Sequence, residues 1–422
     1  MNTVHRPAAT LQAAAREAYI YTLPLVAMES ARRRRIAQVG VNKLFHARRL
    51  LDHRSRQITA PNNDTLFTEA WLDLRHGPVR FELPPTGDRY ISLALMDMWT
   101  NNFAVTGTRA TGPEGVAFTL IGPEQSAEGI AGHVIRATTP IVWALARILV
   151  TGRDDLEAAR SVQDAITLDA PAIDPAPVED PRRGSRLSPW PEYFALASRL
   201  LGISRPPVTD LAVLRRITPL GLGDDFDPAD FADTQARTIE AGVADARAWI
   251  AWQSADGREP GWLGPPPGLG LPGQGYATRA TIAAAWIGAL PLLEATYFRA
   301  SHVGNGRLDG TRPMRLHIPA DRPIPADGFW SVSMYEPTAD GEYFFTENPI
   351  SRYSIGDRTP GLAWNADGSL DIWIGAENPG AGREPNWLPA PPGPYHLILR
   401  AYLPRPELLD GRYLPPEPQP IT

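Results

Sequence analysis

Two acids and a set of amides carry the chemistry this sequence offers. Asp97 closes "DRYISLALMD" and Glu336 closes "GFWSVSMYE", each at the end of a run that alternates as a strand does. A carboxyl group at a strand end beside a loop is well placed to give or take a proton, and facing sheets can bring two such groups together. Each acid can equally cap a turn or pair with an arginine. Asp64 follows Asn63 in "PNNDTLFTEAW". Amides and a carboxylate there can orient a hydroxylated ligand or hold a hard cation through oxygen, although the spacing matches no calcium loop, and an Asx-rich turn needs no function. "MDMWTNNFAVTG" repeats the pattern with Trp99 and Asn102, so tryptophan and amide clusters together outline a pocket with an apolar wall. Trp330 and Tyr335 precede Glu336 on its run, and "REPNWLPAPPGPYHLILRAYLP" adds Asn386, Trp387 and Arg400. The arginine suits a ligand carboxylate or a structural pair with an acid such as Glu336. Asp97, Glu336 and Asp64 are therefore the catalytic candidates, and Asn63, Trp99, Asn102, Trp330, Tyr335, Asn386, Trp387 and Arg400 the binding candidates.

Other chemistries lack their residues. There is no cysteine, which removes thiolate nucleophiles, disulfides and Cys-ligated metals. The eight histidines are scattered with no HxxxH, HxH or HExxH pair, so no histidine-centred metal site is expected, and an oxygen-ligated ion is left open. G-x-S-x-G and the nucleotide-loop patterns are missing, and no cofactor is indicated. A net charge of −6 argues against nucleic acid, and the basic run Arg32-Arg33-Arg34-Arg35 reads as a solvated helix face. Without a signal-peptide pattern or an 18-residue apolar run, the expectation is a cytoplasmic protein outside the membrane, with a small-molecule ligand and its self-association left open.

The elements that must position these residues follow from periodicity. "TLQAAAREAYIYTLPLVAMESARRRRIAQ" has helical spacing, with Pro24 as a kink or break. Residues 58–122 hold short strand-like runs cut by Gly, Pro and Asp, as in an antiparallel sheet. "TPIVWALARILVTGRDDLEAARSVQDAITL" returns to helical spacing, 171–189 reads as a linker, and 190–300 as mostly helical around the irregular "GREPGWLGPPPGLGLPGQG". Strand texture resumes after residue 311. The 44 prolines and 36 glycines favour many turns and short strands over a bundle.

The sequence also repeats itself. Arg80-Phe81-Glu82-Leu83-Pro84 aligns with Arg315-Leu316-His317-Ile318-Pro319, and beyond each lies a loop and a second strand on which Ser92 falls on Ser331, Met96 on Tyr335 and Asp97 on Glu336. Two related β domains follow. The expected class is α+β: two antiparallel β-sandwich, jelly-roll-like domains (58–170 and 311–422), a helical N-terminal segment (1–57), and a linker and helical region between them (171–310).

"PNNDTLFTEAWLDLRHGPVRFELP" through "DRYISLALMDMWTNNFAVTGTRATG" resembles the bacterial domain-of-unknown-function family 1254. "GFWSVSMYE", "NPISRYSIGDR", "NADGSLDIWIG" and "NWLPAPPGPYHLILRAYLP" resemble its C-terminal companion, family 1214, and "GQGYATRATIAAAW", with Arg279, resembles the segment leading into it. The resemblance implies the two-domain β arrangement with a helical connection and assigns no residue a role. Many members look exported; with no leader pattern read at this N-terminus, the expectation here departs from theirs. The functional expectation is an enzyme on a small organic molecule, a hydrolase or a lyase working by elimination or hydration, with carboxylate acid–base chemistry. The alternative is a non-catalytic carbohydrate- or polyol-binding protein.

Overall fold

The computed structural model describes residues 8–56, 59–173, 184–254, 260–338 and 342–421. The middle of the expected linker lies outside them. α1 (Ala8–Val39) continues through Pro24 as one helix. Proline has no N–H, so the carbonyl of Ile20 loses its helical donor there. The arginine run near its end is not a solvated face: Glu29 takes Arg32 and Arg33 at 2.7 and 2.8 Å, and Arg35 reaches Glu69 while its guanidinium lies 3.6 Å from the Phe45 ring. No helix among the described residues is long and apolar enough to cross a membrane.

Nine strands follow: β1 (Phe45–His46), β2 (Thr65–Asp73), β3 (Val79–Leu83), β4 (Ile91–Asp97), β5 (Asn102–Gly107), β6 (Val116–Ile121), β7 (His133–Arg136), β8 (Ile141–Leu149) and β9 (Thr167–Asp169). They make two sheets, β1-β2-β8-β4-β5 and β7-β6-β3-β9. Leu66, Leu93 and Ile148 from the first meet Phe81, Phe118 and Leu120 from the second in one core. β8 corrects the helical reading of 139–168, of which only α2 (Leu156–Asp164) is an α-helix. As a central strand β8 is covered on both faces, so its sequence is a continuous apolar run, and periodicity cannot separate that from a buried helix.

The other face of the first sheet is roofed by helices. α3 (Trp190–Ile203), α4 (Leu211–Ile217), α5 (Asp233–Ser254) and α6 (Tyr276–Ala285) gather around α1, and their core is continuous with Trp71, Met96 and Trp143 on the sheet. Gly242 of α5 lets the helices touch, since a Cβ there would stand 2.4 Å from the Gln12 carbonyl of α1.

The rest of the chain builds β10 (Ala295–Ala300), β11 (His302–Val303), β12 (Gly306–Arg307), β13 (Met314–Ile318), β14 (Ala326–Pro337), β15 (Tyr343–Phe344), β16 (Ser354–Gly356), β17 (Leu370–Gly375), β18 (Trp387–Pro389), β19 (His396–Pro404) and β20 (Gln419–Pro420). β10 lies where helical spacing was read. Gly288, at φ +79°, and Pro291 end that pattern, and Thr296, Tyr297 and Phe298 suit a strand.

The two domains share one topology. In the first sheet of each, β2-β8-β4 corresponds to β10-β19-β14; in the second, β7-β6-β3-β9 corresponds to β18-β17-β13-β20. Even the parallel pairs match, β6 with β7 and β17 with β18. The repeated segment is therefore not a hairpin: β3 and β13 lie in one sheet, β4 and β14 in the other. The chain is a mixed helix-and-sheet protein of several, largely antiparallel, sheets with an N-terminal helix.

Candidate functional site

The sequence candidates divide among three places. The first is the seam between the domains, where Asn62, Asn63 and Asp64 meet the sheet of β14, β16 and β19. Asn62 makes an Asx turn by accepting the N–H groups of Asp64 and Thr65, and its amide donates to the Tyr402 hydroxyl at 2.7 Å. Asn63 donates to the Leu51 carbonyl. Asp64 is buried and accepts the hydroxyls of Ser331 at 2.7 Å and Ser354 at 3.0 Å. Arg400 donates to the Ser333 hydroxyl and the Ala60 carbonyl, and Tyr335 to the Pro61 carbonyl at 2.6 Å. The arginine therefore has no partner in Glu336; hydroxyls and carbonyls take its donors, with Asp64 the nearby balancing charge. These groups bond one another, and the seam reads as a polar joint between domains.

Asp357 sits at the edge of this joint, accepting the Trp330 N–H at 3.1 Å. Burial pushes its carboxyl up to about 6, the charge of Asp64 adding to the shift and Arg358 opposing it. An acid whose folded-state value exceeds the unfolded 3.8 holds its proton more tightly when folded. Its contribution to stability is thus greatest below about pH 3.8 and declines as pH rises to about 6. Asp357→Asn keeps an acceptor for Trp330 and should be more stable than the parent by about 1–3 kcal/mol at pH 7.5, with a smaller gain at pH 4.5. Urea denaturation at the two pH values checks this; an equal gain at both would refute the titration.

The second place is the core of the second domain. Trp330 packs inside it; Trp387 donates its indole N–H to the Gly375 carbonyl, and Asn386 bridges Ala363 and Asp371 with both ends of its amide engaged. Glu336 is exposed and accepts the Thr346 hydroxyl at 2.6 Å. It lies in a different sheet from buried Asp97, and the hydrogen-bond partners of the two acids differ.

The third place is the β4–β5 turn under the helical roof. Asp97 is buried, and its carboxylate accepts the backbone N–H groups of Trp99 and Asn101, the Asn101 amide, and the Thr138 hydroxyl at 2.8 Å. Burial raises its carboxyl while these bonds oppose the rise. It staples a turn in which Thr100 takes a left-handed conformation, φ 66°. The turn presents Trp99 and Asn102 to the helices. Asn102 donates to the Gly270 and Ala289 carbonyls, while its amide oxygen, the Thr100 hydroxyl and the Trp99 indole N–H have no partner.

Against Trp99 stands Arg279 of α6, 2% exposed. Its guanidinium lies 4.9 Å from the Trp99 ring, 5.0 Å from Tyr276 and 5.4 Å from Tyr21 of α1. Asp210, just before α4, is buried and accepts the hydroxyls of Tyr21 and Tyr276 at 2.9 Å each. Burial and the Asp210 carboxylate raise both phenols, so they stay protonated as donors. Arg279 approaches Asp210 only to 3.8 Å, and its Nε and Nη2 have no hydrogen-bond partner. Outside the cage is a cleft of about 590 Å³ between α1 and α6, lined by Ala13, Ile20, Tyr21, Val213, Gln274 and Tyr276 among others. Another hollow, of about 380 Å³, lies on the outer sheet at Arg80 and Asp169; Arg80 there is paired with Glu82. No group of three or more metal-ligating side chains gathers among the described residues.

The cage behind the cleft includes one expected binding residue, Trp99, and Asn102 belongs to the same turn. Reading the sequence for motifs missed Tyr21, Asp210 and Tyr276. Tyr21 and Asp210 sit in a helix and a turn without a motif, Tyr276 lies in the quoted segment but was not singled out, and nothing short of the packing of the helices brings them together. Arg279 carried one signal, its place in "GQGYATRATIAAAW".

Comparison with known proteins places these features. Residues 41–170 match the family described as Protein of unknown function (DUF1254), and residues 294–406 the family described as Protein of unknown function (DUF1214). The crystal structure of the VPA0106 protein from Vibrio parahaemolyticus is similar at TM-score 0.70 and 23% identity, over 98% of this chain and 100% of that one. An uncharacterised protein from Burkholderia cenocepacia aligns at TM-score 0.47 and 15% identity, over 98% and 94%. No curated protein matches. The Vibrio structure shares the fold.

Proposed function

We propose that this protein, a member of the DUF1254 and DUF1214 families, binds a small organic molecule in the cleft between α1 and α6. One observation carries the reading: beside Tyr21 and Tyr276, which line the cleft, buried Arg279 has Nε and Nη2 without a hydrogen-bond partner, and the turn whose Trp99 ring faces it leaves Trp99 Nε1, Thr100 Oγ1 and Asn102 Oδ1 without one as well. Buried polar groups are almost always satisfied, so such a concentration beside an opening fits a ligand that completes them.

Turnover is a second reading, favoured by Asp210 and its two tyrosine hydroxyls at 2.9 Å. In a hydrolysis or an elimination the carboxylate would take a proton and a phenol would give one. Asp97, with its carboxylate engaged by its own turn, then serves as a positioning residue.

A fragment screen by tryptophan fluorescence tests the site. Ala277, exposed on the cleft wall, is replaced by tryptophan to fill the mouth. Fragments that bind the parent should bind the Ala277→Trp protein at least tenfold more weakly, with the thermal unfolding midpoint unchanged. Full binding in the blocked protein would place the site elsewhere.

A further inference from the structure

We infer that the ligand is a small organic molecule carrying one carboxylate, which the Nε/Nη2 edge of Arg279 receives through two parallel hydrogen bonds. This rests on the cleft reading above and adds the ligand's chemical class. Nε–H and one Nη2–H lie on the same side of the planar guanidinium, the fork that matches the two oxygens of a carboxylate. Those two nitrogens are the ones without partners, while Nη1 makes only a long contact, 3.5 Å, to the Gly273 carbonyl. An arginine 2% exposed with its fork unused is costly to bury, and an incoming carboxylate would offset that cost.

The protein's own acid does not fill the fork. The Asp210 oxygens are engaged at 2.9 Å by the hydroxyls of Tyr21 and Tyr276, which keep the carboxylate 3.8 Å from Nη2. Asp210 also limits the charge a ligand can bring. One caged arginine beside one carboxylate suits a single negative charge and disfavours a phosphate dianion. The remainder of the ligand faces a mixed wall: Ala13, Ile20 and Val213 give it an apolar side, Arg16, Glu17 and Gln274 stand at the same cleft, and the segment to which Gln274 bonds, at the Thr209 carbonyl, exposes Val208 and Leu211 on either side. Tyr276 and Tyr21 line the cleft and also flank the guanidinium, so they stand where a ligand in the cleft would meet Arg279.

The test uses hexanoate, benzoate and phenylacetate, each against its neutral amide, with inorganic phosphate as the other anion; dissociation constants come from calorimetry on the full chain. The parent should bind at least one carboxylate tenfold or more tightly than its amide and than phosphate. Arg279→Met should abolish that preference, and Arg279→Lys, which keeps the charge and loses the fork, should weaken carboxylate binding while leaving the fold intact by circular dichroism. Amides binding the parent as tightly as acids, both being lost in Ala277→Trp, would overturn the carboxylate and leave the cleft standing. Phosphate binding as tightly as the acids, undiminished carboxylate binding in Arg279→Met, or no carboxylate binding to the parent would each overturn the inference as well. Carboxylate binding retained in Ala277→Trp but lost in Arg279→Met would instead overturn the cleft as the route and keep the arginine.

Discussion

Asp64→Ala is expected to destabilise the protein by about 3–5 kcal/mol, the cost of removing one partner from a buried charged set. The carboxylate is 8% exposed and holds two hydroxyls, Ser331 and Ser354, that belong to strands of the other domain. Its loss leaves both hydroxyls without their acceptor and takes from buried Arg400, which bonds the Ser333 hydroxyl and the Ala60 carbonyl and lies over the Tyr335 ring, its nearby balancing carboxylate. Because these bonds cross the seam, the two domains should also unfold less cooperatively, separating into two calorimetric transitions. Combining the change with Arg400→Met removes the stranded charge and should recover part of the loss, so the two substitutions will not be additive. Urea denaturation of the four proteins of the cycle decides the point. A single-mutant loss below about 1 kcal/mol, or simple additivity, would mean that the joint is not electrostatically coupled.

Gly356→Ala should be comparably severe for a steric reason. Gly356 faces Ser331 in the β14–β16 ladder, and a Cβ there would stand 2.0 Å from the Trp330 carbonyl and 2.9 Å from Ser331 Cα. Both obstacles are backbone, so no rotamer change relieves them and β16 must move off β14. That displacement would uncover Ile355, now fully buried, and draw Ser354 away from Asp64. The cost should reach or exceed the upper end of the about 1–3 kcal/mol typical of overpacking. Thermal unfolding and proteolysis near residue 356 report it; an unchanged midpoint would mean the strand can shift without loss.

Much of the fold was readable because it is written twice. "RFELPP" to Asp97 and "RLHIPA" to Glu336 each spell a strand, a loop and a second strand, and the domains reuse one topology. The family matches fall where the motifs were quoted. β8 and β10 were misread as helix for opposite reasons. A fully covered strand such as β8 loses its alternation, and β10 follows a real helix whose apolar run continues past Gly288. Asp97 shows how far residue type alone reaches: its place at a strand end beside a loop suited acid–base chemistry, yet four donors from its own turn and from Thr138 engage it.

Alone, the sequence determined what is local or repeated: the helix at the start, the duplicated strands and the absence of thiol chemistry, while it left the Asn62 to Asp64 cluster open between a turn and a site edge. Alternation, turn residues and composition act between near neighbours in the chain, so they can be read along it. Tertiary structure decided which polar groups find partners. Asp64 meets Ser331 across 267 positions, and Tyr21 meets Asp210 across 189. The same packing leaves the Arg279 fork unfilled beside Trp99. Whether a buried donor is satisfied depends on neighbours brought in by helix and sheet packing, and no spacing in the chain records them.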